Sequence, residues 1–266
     1  MKQRILTAVI ALPLLLLGIF YSSATLFGAV LCVVCLLALH EFYAMGLPEC
    51  RRFEALASVL LGGVFCLGLI FAKTPSLLLV SLVLPVLLLA LLYLFRFQDM
   101  TQVGRDFAVS ALGFLYVPLL LSHAGMLRQL PFGRDWIFLV LALVMCSDTL
   151  AYFIGRAWGK RRLYEQVSPK KSIEGALGGL LGSTLGALIC KLSFFNELGY
   201  FDVILLGLGV GAFSQVGDLV ESLFKRSFGV KDSGTLIPGH GGLLDRLDSL
   251  LFAFPITYYY ALWVCI

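Results

Sequence analysis

Apolar runs of about 20 residues, the length a helix needs to cross the hydrocarbon core of a bilayer, fill most of this chain. Spans are expected near 5–21, 24–46, 53–72, 75–95, 107–127, 136–156, 175–193, 201–222 and 244–266. The breaks at 22–23, 48–52, 73–75, 96–106, 131–135 and 196–200 hold the polar, charged or proline residues that stop such helices. Two breaks are longer, at 157–174 and 223–243. The expectation is an all-α polytopic membrane protein of nine helices. Residues 1–130 form helices one to five, and residues 131–266 form helices six to nine with the two long loops.

Composition closes off the alternatives. Hydrophobic residues make up 60% of the chain, charged residues 14%, and mean hydropathy is +0.96. Soluble domains are typically ~45–50% apolar and ~25% charged, so a soluble globule is excluded, as are a disordered chain and a disulfide scaffold. The net charge of +4 is too small to argue for nucleic acid. Cys32, Cys35, Cys66 and Cys146 lie inside apolar runs and read as inert thiols. The first span follows Lys2 and Arg4 and is expected to be a retained helix, since Ser22-Ser23-Ala24 is a poor leader cleavage site.

Lysine and arginine set the orientation. With the N-terminus inside, the cytoplasmic segments hold 16 of the 20 basic residues, and only Lys73, Arg128, Arg134 and Lys191 lie outside. Both long loops then face the cytoplasm, and the C-terminus lies outside.

Ionisable groups within spans are costly, by roughly 2.5–3.5 kcal/mol each on insertion scales, and mark candidate sites. Asp148 stands about eight residues, ~12 Å, from the cytoplasmic end of its helix. Asp218 and Glu221 follow Ser214 at helical spacing, with Lys225 continuing the same polar face. His40-Glu41 reads instead as a buried hydrogen-bonded pair that steadies packing, so Glu41→Gln is expected to cost far less activity than changes at Asp218. In the second long loop, Gly239 to Gly242 abut the ninth helix, where free backbone N–H groups suit phosphate. Lys225, Arg226, Lys231 and Arg246 add cations for phosphate oxygens. Asp245 and Asp248 can face inward together, and carboxylates beside phosphate-binding groups point to Mg²⁺. In the first long loop, Asp148, Tyr152, Gly155 and Gly159 share one stripe, and Ser168-Pro169-Lys170-Lys171-Ser172 precedes Glu174-Gly175. Attraction of anionic lipid accounts equally well for Lys160 to Arg162.

The spacing S-x-x-K-R-x4-K-D-x-G-x2-I-P-x-H-G-G-x2-D-R-x-D over Ser222 to Asp248 resembles the signature of the phosphatidate cytidylyltransferases, also called CDP-diacylglycerol synthases. The upstream D-x3-Y-x2-G-x3-G-K and S-P-x-K-[ST]-x-E-G elements are similar too, so the specific resemblance covers 148–248. One departure is Lys170-Lys171-Ser172-Ile173 where many members read Gly-Lys-Thr-Trp. The resemblance implies transfer of a cytidylyl group from CTP to phosphatidic acid with release of pyrophosphate, at the inner (plasma) membrane of a bacterium. It implies Mg²⁺ on Asp218 and Asp245, with Mn²⁺ as a substitute and room for a second cation such as K⁺. Asp148 and Asp248 join these two as catalytic candidates. Lys225, Arg226, Lys231, Asp232, His240, Gly241, Gly242, Arg246, Ser168, Lys171 and Glu174 are the substrate-binding candidates. His240 is expected to hydrogen-bond phosphate and not to ligate a hard ion. Membrane lipids and, by resemblance alone, a second copy of the chain are the implied partners. Three alternatives stay open: a CTP user acting on another lipid (an isoprenoid or dolichol kinase-like enzyme), an ion- or proton-coupled transporter, and a scaffold without turnover. The halves do not mirror each other as an inverted-repeat transporter's would.

Overall fold

The computed structural model describes residues 13–96, 99–236 and 241–265. It is almost entirely helical, and seven of its helices are long and apolar enough to cross a membrane. The chain divides into two compact units. One comprises Met1–Met126 with Asp232–Asp245, and the other Leu127–Lys231 with Arg246–Ile266.

The first unit holds α1 (residues 13–21), α2 (Ala24–Gly46), α3 (Arg52–Phe71), α4 (Pro75–Arg96), α5 (Met100–Tyr116) and most of α6 (Pro118–Arg128). Residues 5–12 of the first expected span lie outside the described residues. Ser23 starts α2 by accepting from the Leu26 N–H at 3.1 Å, and Pro48 lies just beyond its end. Helix α4 leaves Leu77, Leu79, Leu87 and Leu94 exposed, an apolar face suited to lipid. Small residues let neighbours close in: Gly28 lies against Ile70 and Phe71, and Gly113 against Tyr43.

The break expected at 96–106 is corrected, because residues 100–106 are the first turns of α5. Asp99 caps that helix by accepting from the Thr101 N–H at 2.9 Å. Contact with that N–H and the Thr101 hydroxyl holds the Asp99 carboxyl below its usual range. Asp106 turns inward because Arg51 is buried, only 2% exposed, and needs a counter-charge. Arg51 Nε donates to Asp106 Oδ2 at 3.0 Å, and Nη1 donates to the Arg96 carbonyl at 2.8 Å. Glu54 Oε1 takes both Arg51 at 3.4 Å and Arg96 at 3.3 Å. Charges this buried persist only when paired in this way.

The second unit holds α7 (Gly133–Trp158), strands β1 (Arg162–Tyr164) and β2 (Ser168–Ser172), α8 (Ile173–Ser193), α9 (Tyr200–Ser227) and α10 (Asp248–Cys265). The α7–α8 contact runs along glycines of α8. A Cβ at Gly175 would lie 2.9 Å from the Ala151 carbonyl oxygen, and one at Gly182 would run into the Cys146 carbonyl. The long loop expected at 157–174 carries a short two-stranded ribbon. Gly159 ends α7, and β1 and β2 then pair antiparallel with Arg162 opposite Ser172. Pro169 has no N–H to continue a helix and is tolerated in this two-stranded ribbon. The second loop begins later than expected, since α9 continues to Ser227. The last helix begins later, at Asp248, after a 3-10 turn over Leu244–Arg246.

Candidate active site

In the second unit, α7, the β-ribbon, α8 and α9 enclose a cavity of about 590 Å³. Among the described residues its charged lining is Asp148, Arg156, Arg162, Lys170, Lys171 and Asp218, four cations against two carboxylates. Each arrives for a local reason. Asp148 and Arg156 are two turns apart on α7, and Tyr152 between them accepts from Arg156 Nη1 at 3.1 Å. The ribbon carries Lys170 and Lys171 to the start of α8, where Ser172 Oγ accepts from the Gly175 N–H at 3.1 Å. Asp218 comes from the polar face of α9. Lys171 Nζ meets Asp218 Oδ2 at 2.6 Å, with both side chains roughly a quarter to a third exposed.

A third carboxylate lies in the same electrostatic neighbourhood. A Cβ at Gly217 would stand 2.5 Å from the Asp248 carbonyl oxygen, so α9 and the start of α10 touch there. The charge of Asp218 acts on both Asp148 and Asp248, with Lys171 and Arg246 opposing it at Asp148 and Lys225 at Asp248. Asp248 Oδ1 also accepts from the Ser249 N–H at 2.6 Å. One turn below Asp218, buried Glu221 pairs with Lys225 at 3.2 Å.

In the first unit, the described part of the signature loop is tied to itself. Asp245 Oδ2 accepts from the Ser233 N–H at 3.0 Å and the Gly242 N–H at 2.8 Å, and the Asp245 N–H donates to Ser233 Oγ at 3.3 Å. Gly241 has φ +88, a left-handed conformation that suits glycine. The loop is also tied to α2. Glu41 Oε1 accepts from the Leu243 N–H at 3.0 Å, while Oε2 accepts from the Leu244 N–H at 2.8 Å and the Ser233 hydroxyl at 3.2 Å. The expected buried His40-Glu41 pair is therefore corrected: Glu41 is buried but His40 is exposed, and the carboxylate's partners are loop groups.

The remaining candidates are placed as follows. Lys231, Asp232 and Arg246 are exposed, and Arg226 Nη1 donates to the Val230 carbonyl at 3.4 Å. Ser168 opens β2. Glu174 turns to the backbone, accepting from the Lys160 N–H at 3.0 Å and the Arg161 N–H at 3.3 Å, which fixes the turn between α7 and β1. Gly242 is buried, and His240 lies outside the described residues.

Three residues escaped the sequence reading: Ser233, an unassigned position of the motif; Gln215, which lines the cavity and donates to the Ala176 carbonyl at 3.1 Å; and Glu41 in its loop-holding role. Polar residues on otherwise apolar helices were the available signal for Gln215 and Glu41.

Among the described residues lining the cavity, Asp148 and Asp218 supply carboxylate oxygens and there is no imidazole or thiol, which suits a hard cation. Among the described residues no group of three or more His, Cys, Asp or Glu is arranged to hold a metal. Mg²⁺ does not require one. It is usually held by one or two carboxylates, with substrate phosphates and water completing the shell. The residues present fit that ion.

The model of the Cytidylyltransferase family matches residues 2–264 of this chain. The phosphatidate cytidylyltransferase of Bacillus subtilis (strain 168) is 33% identical over 262 residues, covering 97% of each chain. That of Haemophilus influenzae is 35% identical over 288 residues, covering 99% of each. The Pseudomonas aeruginosa protein of the same name is 35% identical over 271 residues, 96% of this chain and 95% of its own.

Proposed function

Since this chain belongs to the Cytidylyltransferase family, we propose that it transfers the cytidylyl group of CTP to phosphatidic acid. The products are CDP-diacylglycerol, a precursor for phospholipid synthesis, and pyrophosphate. The observation that carries the reading is the cation-lined cavity of about 590 Å³ with the Lys171–Asp218 pair in its wall. A triphosphate and a lipid phosphate are both polyanions, and a pocket with four cations and two carboxylates neutralises them while leaving oxygen donors for a metal.

A phosphate oxygen of phosphatidic acid attacks the α-phosphorus of CTP. A new P–O bond forms, the bond from the α-phosphorus to the oxygen bridging to the β-phosphorus breaks, and pyrophosphate leaves. The attacking phosphate is already ionised at neutral pH, so no side chain has to remove a proton. What remains is positioning and charge neutralisation. Lys171, Arg156, Arg162 and Lys170 grip phosphate oxygens from the cavity wall, and Lys225, Arg226, Lys231 and Arg246 are the further phosphate-binding cations. Asp218 would offer a carboxylate to Mg²⁺ from the cavity wall, and Asp245 would offer one by resemblance to the family's motif, with Asp148 and Asp248 shaping the field around Asp218. When bound, the ion neutralises charge on the phosphate oxygens.

The setting follows from the same proposal. We infer nine spans in the inner membrane of a bacterium, with the excess of Lys and Arg favouring a cytoplasmic N-terminus and an outside C-terminus. CTP then reaches the cavity from the cytoplasm. The test is cytidylyl transfer by the purified protein in lipid vesicles. Labelled lipid is expected only when CTP, phosphatidic acid and Mg²⁺ are all present.

A further inference from the structure

Glu41 has no part in the transfer just described, yet it is buried at the C-terminal end of α2 and accepts three hydrogen bonds from one loop. Its partners are some 200 residues distant in sequence, which makes it a tertiary cap on the turn that leads into α10. The packing around it is tight. A Cβ at either Gly234 or Gly242 would come within 2.6 Å of a Glu41 carboxylate oxygen. Both glycines are therefore needed for the loop to close on this side chain.

The bonds then continue to Asp245. Ser233 Oγ donates to Glu41 Oε2 at 3.2 Å and accepts from the Asp245 N–H at 3.3 Å. The Ser233 N–H in turn donates to Asp245 Oδ2 at 3.0 Å. Leu243 and Leu244, the two residues before Asp245, give their N–H groups to Glu41. Asp245 is thus fixed at its backbone and at one carboxylate oxygen by groups that themselves rest on Glu41.

We infer that Glu41 is a positioning residue that sets the place of Asp245 through Ser233 and the amides of Leu243 and Leu244. The inference rests on the catalytic role given above to Asp245. A carboxylate is required at position 41 because all three partners donate. A carboxamide has one acceptor oxygen, and its NH2 would face a donor. Charge-assisted bonds to backbone N–H groups are also among the stronger ones, so the isosteric change is not a mild one.

The experiment uses the full chain in vesicles, with Glu41→Gln and Ser233→Ala, and reads two things. Kinetics should give a kcat lowered by about 10- to 100-fold in Glu41→Gln and about 5-fold in Ser233→Ala, with KM for phosphatidic acid within about 2-fold. The Mg²⁺ concentration for half-maximal activity should rise in both. Hydrogen exchange should quicken in peptides covering 241–250 and stay unchanged in α8, a readout that needs no turnover. Unchanged exchange and unchanged kcat in Glu41→Gln would overturn the inference. If Glu41→Gln does not fold, Ser233→Ala decides alone, and wild-type kcat with wild-type exchange in that variant is equally fatal. Faster exchange at 241–250 in a wild-type-active variant would also overturn it, because the loop would then be free without consequence. Should the unaltered chain transfer no cytidylyl group, the functional reading fails, while the exchange data still decide whether Glu41 holds the loop.

Discussion

Lys171 Nζ lies 2.6 Å from Asp218 Oδ2, joining the β-ribbon side of the cavity to helix α9. The contact gives Asp218 a counter-charge in a neighbourhood that also contains the carboxylates of Asp148 and Asp248. Lys171→Met removes it. Cytidylyl transfer should fall by at least about 100-fold while helical content by circular dichroism is kept. The double variant Lys171→Met/Asp218→Asn should be little worse than either single, because groups acting as one unit do not add. Multiplying losses would mean that the two side chains act separately.

Activity should vanish with EDTA and return with Mg²⁺ or Mn²⁺. Asp218→Asn and Asp245→Asn should each lower kcat by about 100-fold or more and still insert and purify. Full turnover in metal-free buffer, or a near-normal rate in Asp218→Asn, would remove the metal assignment.

Stability should depend on Arg51 and not on its neighbour. Arg51→Met takes its cation from buried Asp106 and leaves Glu54 with Arg96 alone, at a cost of about 3–5 kcal/mol. The Arg52–Glu49 pair at 3.4 Å is exposed, with side chains 78% and 90% accessible, so Arg52→Met should change stability by less than about 1 kcal/mol. Thermal denaturation in detergent measures both. Equal midpoints for the two variants would contradict the buried-network account.

Much of this was legible in the sequence because the bilayer imposes one length on every span. The expected 24–46 and 175–193 agree with α2 (Ala24–Gly46) and α8 (Ile173–Ser193) to within two residues. Asp148 and Asp218 could be singled out because charge within an apolar run is costly, and Lys171 because it stands in the S-P-x-K-[ST]-x-E-G element. What stayed hidden depended on partners far along the chain. Residues 100–106 look like a polar break, and nothing local says that Asp106 answers a buried Arg51. Glu41 looks like a packing residue until its acceptor oxygens are seen on Leu243, Leu244 and Ser233. The ribbon at 162–172 is short and mostly exposed, so it leaves almost no hydrophobic pattern to read.

Topology is tested by single cysteines in a cysteine-free background. A thiol at Ser227, the end of α9, should react only with a reagent on the cytoplasmic side. One at Asn196, in the turn before α9, should react only from outside. Labelling of both from one side would reject the orientation drawn from the 16 and 4 basic residues.

The central claim is transfer of the cytidylyl group itself, and the position of the label in CTP tests it most directly. Vesicles containing the purified protein, phosphatidic acid and Mg²⁺ are given CTP labelled with phosphorus-32 at either the α- or the γ-phosphate. The account predicts that α-label enters the lipid and γ-label leaves as pyrophosphate. Gamma-label in the lipid, with none from the α-phosphate, would mark a lipid kinase and contradict it.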